Sequence, residues 1–446
     1  MYRVATTALV AAALLPSAWW SPVQAQDADL EKALRVLSTT PLIDGHNDLP
    51  WAIRTSEVAP HDVEAADHDL RGSTPFHTDL ERLSAGRVGG QFWSVYIPFE
   101  AVEEGAAKVQ LEQIDIAQQI IEKYPEALEL ALTASDLETS FGKGRIASML
   151  GMEGGHAIEN SLGSLRAFYA MGVRYMTLTH NGTLDWADSC CDEPRHGGLS
   201  EFGREVVREM NRMGMLVDIS HTSPETMHDV IDVAEAPVIW SHASARGVHD
   251  HPRNVPDDVL RRLPENGGVV MVTFVPGFLT SNEQATIGDV ADHIEHIVDV
   301  AGVDHVGIGG DFDGIDSTPV GLEDVSTYPA LFAELSRRGW SEEDMAKLAG
   351  ENVLRAWRDA EAVARRLQRE RAPSTRTIDE LDRTIGDDLR PESSPSTTSS
   401  TSLASRMVTS SRRCAISSGR RSPCWGRFRR NGRPTGTRKG SGVSAR

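Results

Sequence analysis

Cysteine is scarce in this sequence, and its scarcity excludes one class of folds. There are 4 cysteines among 446 residues, too few for a small domain that disulfide bonds hold together. Cys190 and Cys191 are neighbours, and a bridge between neighbours is strained, so we expect two thiols in a loop. A pair of zinc ligands is the alternative interpretation. Cys414 and Cys424 lie in a segment of unusual composition near the C-terminus.

Long apolar runs are also lacking. The apolar stretch at residues 4–15 is shorter than the roughly 20 residues that a membrane-spanning helix needs. It follows the basic residue Arg3 and precedes a small-residue motif, VQA, at residues 23–25. This arrangement is typical of a cleaved signal peptide, here over residues 1–25. We therefore expect an exported protein, periplasmic or secreted, without a membrane anchor.

Basic residues are too few for a protein with general affinity for nucleic acid. The chain has 45 Lys and Arg against 65 Asp and Glu, a net charge of −20. The balance reverses in residues 391–446, where 12 basic residues face a single acid, Glu392. The Ser-rich and then Arg-rich composition of this segment predicts a disordered tail. It is either a basic arm for nucleic acid or anionic lipid, or the product of a shifted reading frame; the abrupt change favours the second.

Short apolar runs recur along the rest of the chain, with helical patterns between them. Eight runs have the length of strands: 42–45, 91–97, 145–152, 174–179, 216–220, 238–241, 268–274 and 305–309. Strands that alternate with helices predict a parallel sheet. Eight such units in about 350 residues favour a closed (β/α)8 barrel of the TIM type over an open sheet. We expect one catalytic domain over residues 28–390.

The helical patterns have recognisable beginnings and ends. Apolar periodicity predicts helices at 28–37, 108–124, 202–213 and 290–300. Ser341 and Asp344 resemble a capping box that opens a further helix over 342–358. Residues 361–390 are expected to form a charged closing helix and a terminal segment.

The predicted strands end in side chains that can bind metal ions or carry protons. Active sites of such barrels lie at the C-terminal ends of the strands. At the first of these ends, His46 and Asp48 are two residues apart and would project from one face of the strand. The other ends supply the following candidates: Glu153, His180, His221, His242, Asp311 and Asp313. Each alone could be a hydrogen-bonded histidine or a loop-capping acid.

Position is what distinguishes these residues from isolated polar side chains. Six of the eight predicted strands end in a side chain of this type, which independent chance would not arrange. Three histidines, one Glu and one Asp form a nitrogen and oxygen ligand set that favours zinc. Glu153 is a carboxylate that could bridge, which indicates a site for two metal ions.

The motifs in which these residues lie occur together in a specific order. They are DGHND, GMEGG, LTHN, DISH, SHASAR, HPRN and GIGGDFDG followed by GLEDVSTYP, over roughly residues 30–360. In this set and order the sequence resembles the membrane (renal) dipeptidase family, zinc peptidases of the amidohydrolase type. The resemblance implies a (β/α)8 barrel with two zinc ions per chain and hydrolysis of dipeptides. The family often forms homodimers, but nothing in the sequence locates an interface.

The resemblance also implies a division of the metal ligands. His46, Asp48 and Glu153 would hold one zinc ion. Glu153, His221 and His242 would hold the other, so that Glu153 bridges the two. A water shared by two zinc ions has a lowered pKa, which makes hydroxide available to attack the scissile carbonyl.

Three further roles are implied for residues that do not bind the metal ions. Asp311 would take the proton of the attacking water and return it to the leaving amine. His180 would contact the substrate by a hydrogen bond to the tetrahedral oxyanion. Arg253 would bind the terminal carboxylate of the substrate, a bidentate task that suits a guanidinium.

The sequence departs from the family pattern in two places. The loop after the seventh predicted strand reads VPGF at residues 275–278, where some members carry an aromatic hydroxyl that contacts substrate, so fine substrate preference stays open. The polar, basic C-terminus does not resemble the hydrophobic signal of the lipid-anchored mammalian relatives. Two alternative functions are a related metal-dependent amidohydrolase that acts on another small amide or a lactam, and a non-catalytic barrel that binds metal or peptide.

Overall fold

A computed structural model describes residues 22–103 and 105–382, with the backbone alone for 22–27. The fold lies in the first of two units of the chain, Met1–Thr384; the second, Ile385–Arg446, falls outside the described residues. The predicted signal peptide lies almost wholly outside them, and the predicted tail does so entirely. No helix in the described part is both long and apolar enough to cross a membrane.

The described residues contain one nine-stranded parallel sheet. Its strands are β1 Leu42–Asn47, β2 Val88–Ser94, β3 Leu128–Leu130, β4 Ile146–Glu153, β5 Val173–Thr177, β6 Leu216–Asp218, β7 Val238–Ala243, β8 Val269–Val272 and β9 Val306–Ile308. Their β-branched and other apolar residues are buried on both faces, as expected for a parallel sheet covered by helices.

Eight of these strands close into a ring. β1 pairs with β2 on one side and with β9 on the other, and β2 pairs directly with β4. From β4 to β9 each strand pairs with the next along the chain. The predicted (β/α)8 barrel is confirmed, because all eight predicted runs coincide with strands of the ring. The short strand β3 was not predicted; it pairs only with the first residues of β4.

Helices surround the barrel. Their bounds are α1 Pro22–Thr39, α2 Leu49–Arg54, α3 Leu80–Ala85, α4 Ala106–Lys123, α5 Ala134–Gly142, α6 Leu162–Ala170, α7 Glu201–Met213, α8 Pro224–Val233, α9 Asp257–Leu260, α10 Leu263–Asn266, α11 Pro276–Leu279, α12 Ile287–Ala301, α13 Tyr328–Arg337, α14 Glu342–Ala346, α15 Asn352–Glu370 and α16 Ile378–Leu381. The four helices predicted from periodicity correspond to α1, α4, α7 and α12.

The helix predicted from Ser341 begins as expected but has a different interior. The Ser341 side chain accepts a hydrogen bond from the Asp344 backbone and so caps α14. A π-helical turn, Lys347–Glu351, then joins α14 to α15, which continues to Glu370. Gly350 in this turn leaves room for a close approach, since a β-carbon there would lie 2.3 Å from the Pro41 carbonyl oxygen. The helix can therefore press against the start of β1.

Helix α15 closes the barrel at the ends where the strands begin. Asn352 donates a hydrogen bond to the Val306 carbonyl at the start of β9, and Arg355 donates one to the Gly267 carbonyl just before β8. Trp357 packs in one apolar cluster with the residues inside the barrel, with its ring centroid 6.0 Å from that of Phe92. The candidate residues lie at the opposite end, where the strands finish.

Candidate active site

The first and last strands of the barrel are joined at their C-terminal ends. The backbone N–H of Asp48 donates to the carbonyl of Phe312 at 2.9 Å, and the N–H of Asp311 donates to the carbonyl of His46 at 3.1 Å. These two bonds place the Asp311 carboxylate 3.9 Å from Nε2 of His46. Asp48 lies 3.2 Å from the same nitrogen. The predicted pair at the end of β1 therefore meets the predicted proton carrier after β9.

Glu153, the last residue of β4, lies at the centre of the cluster with its two oxygens facing different neighbours. Its Oε2 is 3.4 Å from Nε2 of His46. Its Oε1 is 3.0 Å from Nε2 of His221 and 3.3 Å from Nε2 of His242. A carboxylate placed in this way could bind one cation with each oxygen.

The hydrogen bonds behind His46 determine where its proton lies. Tyr175, whose side chain is inside the barrel, donates its hydroxyl proton to the carbonyl of Gly45 at 3.1 Å. The same hydroxyl is 2.8 Å from Nδ1 of His46 and can only accept from it. The Nδ1 of His46 is therefore protonated, and Nε2 is the atom that faces the centre of the cluster. Burial lowers the pKa of His46, but Tyr175, Asp48 and Glu153 bring it well above its ordinary value, so a cation that binds Nε2 there displaces a proton.

His242 is held in the same tautomer by a different group. Ser241 donates its hydroxyl proton to Oδ2 of Asp218 at 2.6 Å. Because that proton is committed, the Ser241 oxygen, 2.8 Å from Nδ1 of His242, accepts the Nδ1 proton. Asp218 also accepts the backbone N–H of Ser241 and the side chain of Ser220. Partners of this kind orient metal-binding histidines and fix their tautomers.

Three of the candidate residues lie on unusual backbone. His221, Asp311 and Asp313 have φ angles of 65°, 64° and 66°, in the left-handed region that residues with a side chain rarely adopt. Such conformations cluster at functional sites, where the surrounding structure maintains them. Gly314 makes room next to Asp311, because a β-carbon there would lie 2.2 Å from Oδ2 of Asp48. The loop after β9 is thus shaped to bring these two carboxylates together.

Asp313, the other acid of the GGDFDG motif, does not join the cluster. It accepts the backbone N–H of His77 at 2.6 Å, and its own N–H donates to Nδ1 of that histidine at 3.0 Å. This pair fastens the segment before α3 to the loop after β9.

The side chains that meet at the strand ends have the composition of a metal site. Three groups of three have ligand atoms within 4.8 Å of one another: His46, Glu153 and His242; Glu153, His180 and His221; and His46, Asp48 and Asp311. His46 Nε2 and Asp48 Oδ1 are buried and have no hydrogen-bond partner. Buried groups of this kind are costly unless a proton or a cation satisfies them. The donor set of histidine nitrogens and carboxylate oxygens fits zinc.

The structure differs from the sequence prediction in which residues could bind a metal ion. His180 and Asp311, expected to act on the substrate, lie within ligand distance of the other residues. Among the described residues, neither Cys190 nor Cys191 belongs to any such group. The alternative interpretation of the two cysteines as zinc ligands therefore finds no support there.

Burial and mutual charge shift the pKa values throughout the cluster. Burial would raise the pKa of Glu153, but His46 and His180 bring it well below its ordinary value. Burial lowers the pKa of His221 and of His242 well below theirs, with positive neighbours acting in the same direction. The two histidines are therefore neutral, as metal ligands must be.

Asp311 has the opposite shift to Glu153. Burial raises its pKa well above the ordinary range, and the negative charges of Asp48 and Glu153 act in the same direction. Burial also lowers the pKa of His180. The cluster thus contains one carboxylate that is held ionised and another that readily takes a proton, a separation typical of acid and base catalysis.

Arg253 is buried beside the cluster although it lies in the loop after β7. It is 2% exposed, and its guanidinium carbon is 5.3 Å from the ring centroid of Phe278. Its Nη2 donates to the carbonyl of His242 at 3.4 Å, whereas its Nε and Nη1 have no hydrogen-bond partner. A buried cation with two unused donors indicates an anion-binding position.

Sequence reasoning missed several residues that support the site. Asp218 and Ser241 were part of the quoted motifs but had no role, and Tyr175 lies within an apolar strand, where nothing in the pattern distinguishes it. Tyr96 was missed as well: its ring lies 4.8 Å from that of His180 and makes an edge contact with Trp51. Polarity at a strand end could have pointed to Asp218 and Ser241, but not to the two tyrosines.

Comparisons with known proteins give matches over most of the chain. The family model described as membrane dipeptidase (peptidase family M19) matches residues 30–371. An uncharacterized dipeptidase of Schizosaccharomyces pombe is 45% identical over 383 residues, which are 80% of this chain and 91% of the relative. The dipeptidase verJ of Clonostachys rogersoniana is 47% identical over 354 residues, 77% of this chain and 90% of that protein.

A solved structure extends the similarity to the fold. It is a metallo peptidase from Rhodobacter sphaeroides liganded with a phosphinate mimic of the dipeptide L-Ala-D-Ala. The TM-score is 0.64 at 27% identity, and the match covers 72% of this chain and 99% of that one.

Proposed function

The chain belongs to the membrane dipeptidase family, peptidase family M19, and from this premise we propose that it is an exported dipeptidase that works with two zinc ions. The substrate would be a free dipeptide, and the reaction would be hydrolysis of its single peptide bond. The relatives are named dipeptidases, and a related structure holds a dipeptide mimic.

The observation that carries the proposal is the placement of Glu153. One of its oxygens faces His46 and the other faces His221 and His242, with every separation between 3.0 and 3.4 Å. His46 and Asp48 with Glu153 would hold one ion, and His221 and His242 with Glu153 would hold the other. Such a pair of ions, when bound, activates water at neutral pH and polarises the scissile carbonyl.

Asp311 would manage the protons of the reaction. It lies beside His46, and its raised pKa allows it to accept a proton from the attacking water. It then delivers that proton to the nitrogen of the leaving amino acid, so the residue ends each turnover as it began. General acid and base catalysis of this kind contributes typically about 10²–10⁴-fold to a rate.

His180 and Arg253 would bind two parts of the substrate, the oxyanion at the scissile carbonyl and the terminal carboxylate. His180 lies 3.7 Å from Glu153 Oε1 and would donate to the oxyanion as it forms. Arg253 would pair its unused Nε and Nη1 with the terminal carboxylate of the substrate. Since this guanidinium also contacts the carbonyl of His242, the bound carboxylate would lie close to the metal centre. That proximity favours a substrate with only one residue beyond the scissile bond.

The test combines metal content with a substrate panel. The purified protein should contain about two zinc ions per chain, and chelation should abolish hydrolysis of dipeptides until zinc is restored. L,L- and L,D-dipeptides should be cleaved, whereas lactams and acylated amino acids should react slowly or not at all. Full turnover after verified removal of the metal would refute the proposal, and a preference for lactams would assign the chain to another amidohydrolase reaction.

Export is tested separately. The N-terminus of the protein isolated from its natural source should begin at Gln26 if the signal peptide is cleaved after residue 25. An intact N-terminus in a cytoplasmic fraction would refute this part of the proposal.

A further inference from the structure

Two adjacent thiols lie beside the candidate active site and take no part in the proposed reaction. Cys190 and Cys191 are in the loop between β5 and α7, and both are half-buried. Their Sγ atoms are 2.6 Å apart. Both residues are thus partly exposed, and the two sulfur atoms already face each other.

The loop that carries the pair is bonded to the backbone of two candidate site residues. The N–H of Cys190 donates to the carbonyl of His221 at 2.8 Å. The hydroxyl of Ser189 lies 2.6 Å from the carbonyl of His180 and 3.2 Å from that of His221. The N–H of Cys191 donates to the same hydroxyl at 3.2 Å. A change of backbone conformation at the pair would therefore be transmitted to His180 and His221.

We propose that Cys190 and Cys191 are a site of reversible oxidation, at which a disulfide between the two neighbours slows hydrolysis of the substrate. The oxidant is a small disulfide such as oxidised glutathione. One thiolate attacks it to give a mixed disulfide and releases one thiol; the second cysteine then displaces the other. In the balance, two protein S–H groups lose their hydrogens and become one S–S bond, while the external disulfide is reduced to two thiols.

Reversibility follows from the geometry of the chain itself. Adjacent Cα atoms are about 3.8 Å apart across a trans peptide, whereas bridged cysteines usually have Cα atoms roughly 4.4–6.8 Å apart. The ring therefore closes only with a distorted backbone, which makes the bond easy to reduce. The same distortion would lengthen or break the hydrogen bond from the N–H of Cys190 to the carbonyl of His221.

The electrostatic surroundings connect the pair to the proposed substrate clamp as well. Burial raises the pKa of the Cys190 thiol, the contact with Cys191 raises it further, and the charge of Arg253 opposes both. The charge of Arg253 thus acts on the Cys190 thiol.

The experiment uses the full chain with Cys414→Ser and Cys424→Ser, so that the pair supplies the only thiols. The zinc-loaded protein is equilibrated with reduced and oxidised glutathione in varying ratio. Its remaining thiols are then alkylated, and its mass is measured by mass spectrometry. We expect a species lighter by two hydrogen atoms that carries neither alkyl group nor glutathione. Its kcat/KM for a dipeptide should be about fivefold lower, the factor that one hydrogen bond contributes, with zinc content unchanged and full recovery after reduction.

Cys190→Ser and Cys191→Ser provide matched controls, since neither can close the ring. Their kcat/KM should not respond to the redox ratio. Mixed disulfides or unmodified thiols alone in the parent chain, even under the most oxidising condition, would overturn the proposal, as would a closed ring with an unchanged kcat/KM or with loss of zinc.

The kinetic part rests on the proposed function, whereas the mass measurement does not. A chain that forms the ring but hydrolyses no dipeptide in either state would refute the dipeptidase assignment and leave the oxidation site established. The mass is measured on the chain that keeps both Cys190 and Cys191. The result therefore does not depend on whether the controls Cys190→Ser and Cys191→Ser fold.

Discussion

Replacing Tyr175 by phenylalanine removes one oxygen atom behind His46. In the native chain that oxygen accepts the Nδ1 proton of His46 at 2.8 Å, while its own proton goes to the carbonyl of Gly45. The phenylalanine ring fills the same space, so the interior of the barrel keeps its packing. The substitution leaves a buried N–H without an acceptor, and it removes the group that holds the proton on Nδ1.

Two effects are expected from this change. An unpaired buried polar group costs about 1–3 kcal/mol, so the free energy of unfolding of the metal-free protein should fall by that amount. Metal binding should be weakened as well, because nothing then holds the neutral imidazole in the tautomer with its proton on Nδ1, and a proton on Nε2 competes with the ion. Loss of such a partner typically weakens metal affinity about 10–100-fold, and we expect Tyr175→Phe to fall in this range.

Tyr124→Phe is the matched control. Tyr124 is equally buried, and its hydroxyl accepts the N–H of Leu70 at 2.8 Å. Denaturant unfolding of the metal-free variants should show comparable losses of stability, whereas competition with a chromogenic chelator should show weakened zinc binding in Tyr175→Phe only. If both variants hold zinc as tightly as the parent chain, the argument from the tautomer of His46 is wrong.

Four further predictions concern other parts of the chain. Asp311→Asn should lower kcat about 10²–10⁴-fold while two zinc ions stay bound, and equal turnover with the parent would refute its role in proton transfer. Arg253→Ala should raise KM for free dipeptides about tenfold to a hundredfold but leave C-terminally amidated ones little changed; equal effects on both would refute the clamp. Burial lowers the pKa of His156 from 6.5 to about 4, so the unfolded chain binds this proton more readily, and the native state should lose up to about 3 kcal/mol as the pH falls through that interval. His156→Gln should flatten that dependence in unfolding experiments, and an unaltered slope would contradict it. Removal of residues 391–446 should leave melting temperature and turnover unchanged, which a thermal scan and a dipeptide assay check directly.

The sequence predicted which residues meet because the barrel has a simple rule. Parallel strands finish at the same end, so His46 and His242 could be placed together once each was recognised at the end of a strand. The rule says nothing about the orientation of a side chain. It could not predict that the two oxygens of Glu153 face different histidines, since that depends on backbone angles such as the positive φ of His221.

Other features escaped prediction because their signals are not local. Arg253 has the sequence context of a surface loop, and only the packing of Phe278 under its guanidinium shows it to be buried. Tyr175 acts through a hydroxyl in the middle of an apolar strand. The π-helical turn before α15 brings Gly350 close to Pro41, and these two residues are far apart in the chain.

The two backbone hydrogen bonds that join the loop after β9 to β1 have a consequence for the order of folding. They connect the first strand of the barrel to the last, so His46 and Asp311 cannot meet until nearly the whole domain has been synthesised and the ring has closed. Contacts between distant parts of a chain form late and slowly. High-affinity metal uptake is therefore expected to coincide with ring closure, and a chain that stalls before β9 would lack the complete centre. Metal binding would then report that folding is complete, because the full binding free energy becomes available only when the barrel is closed.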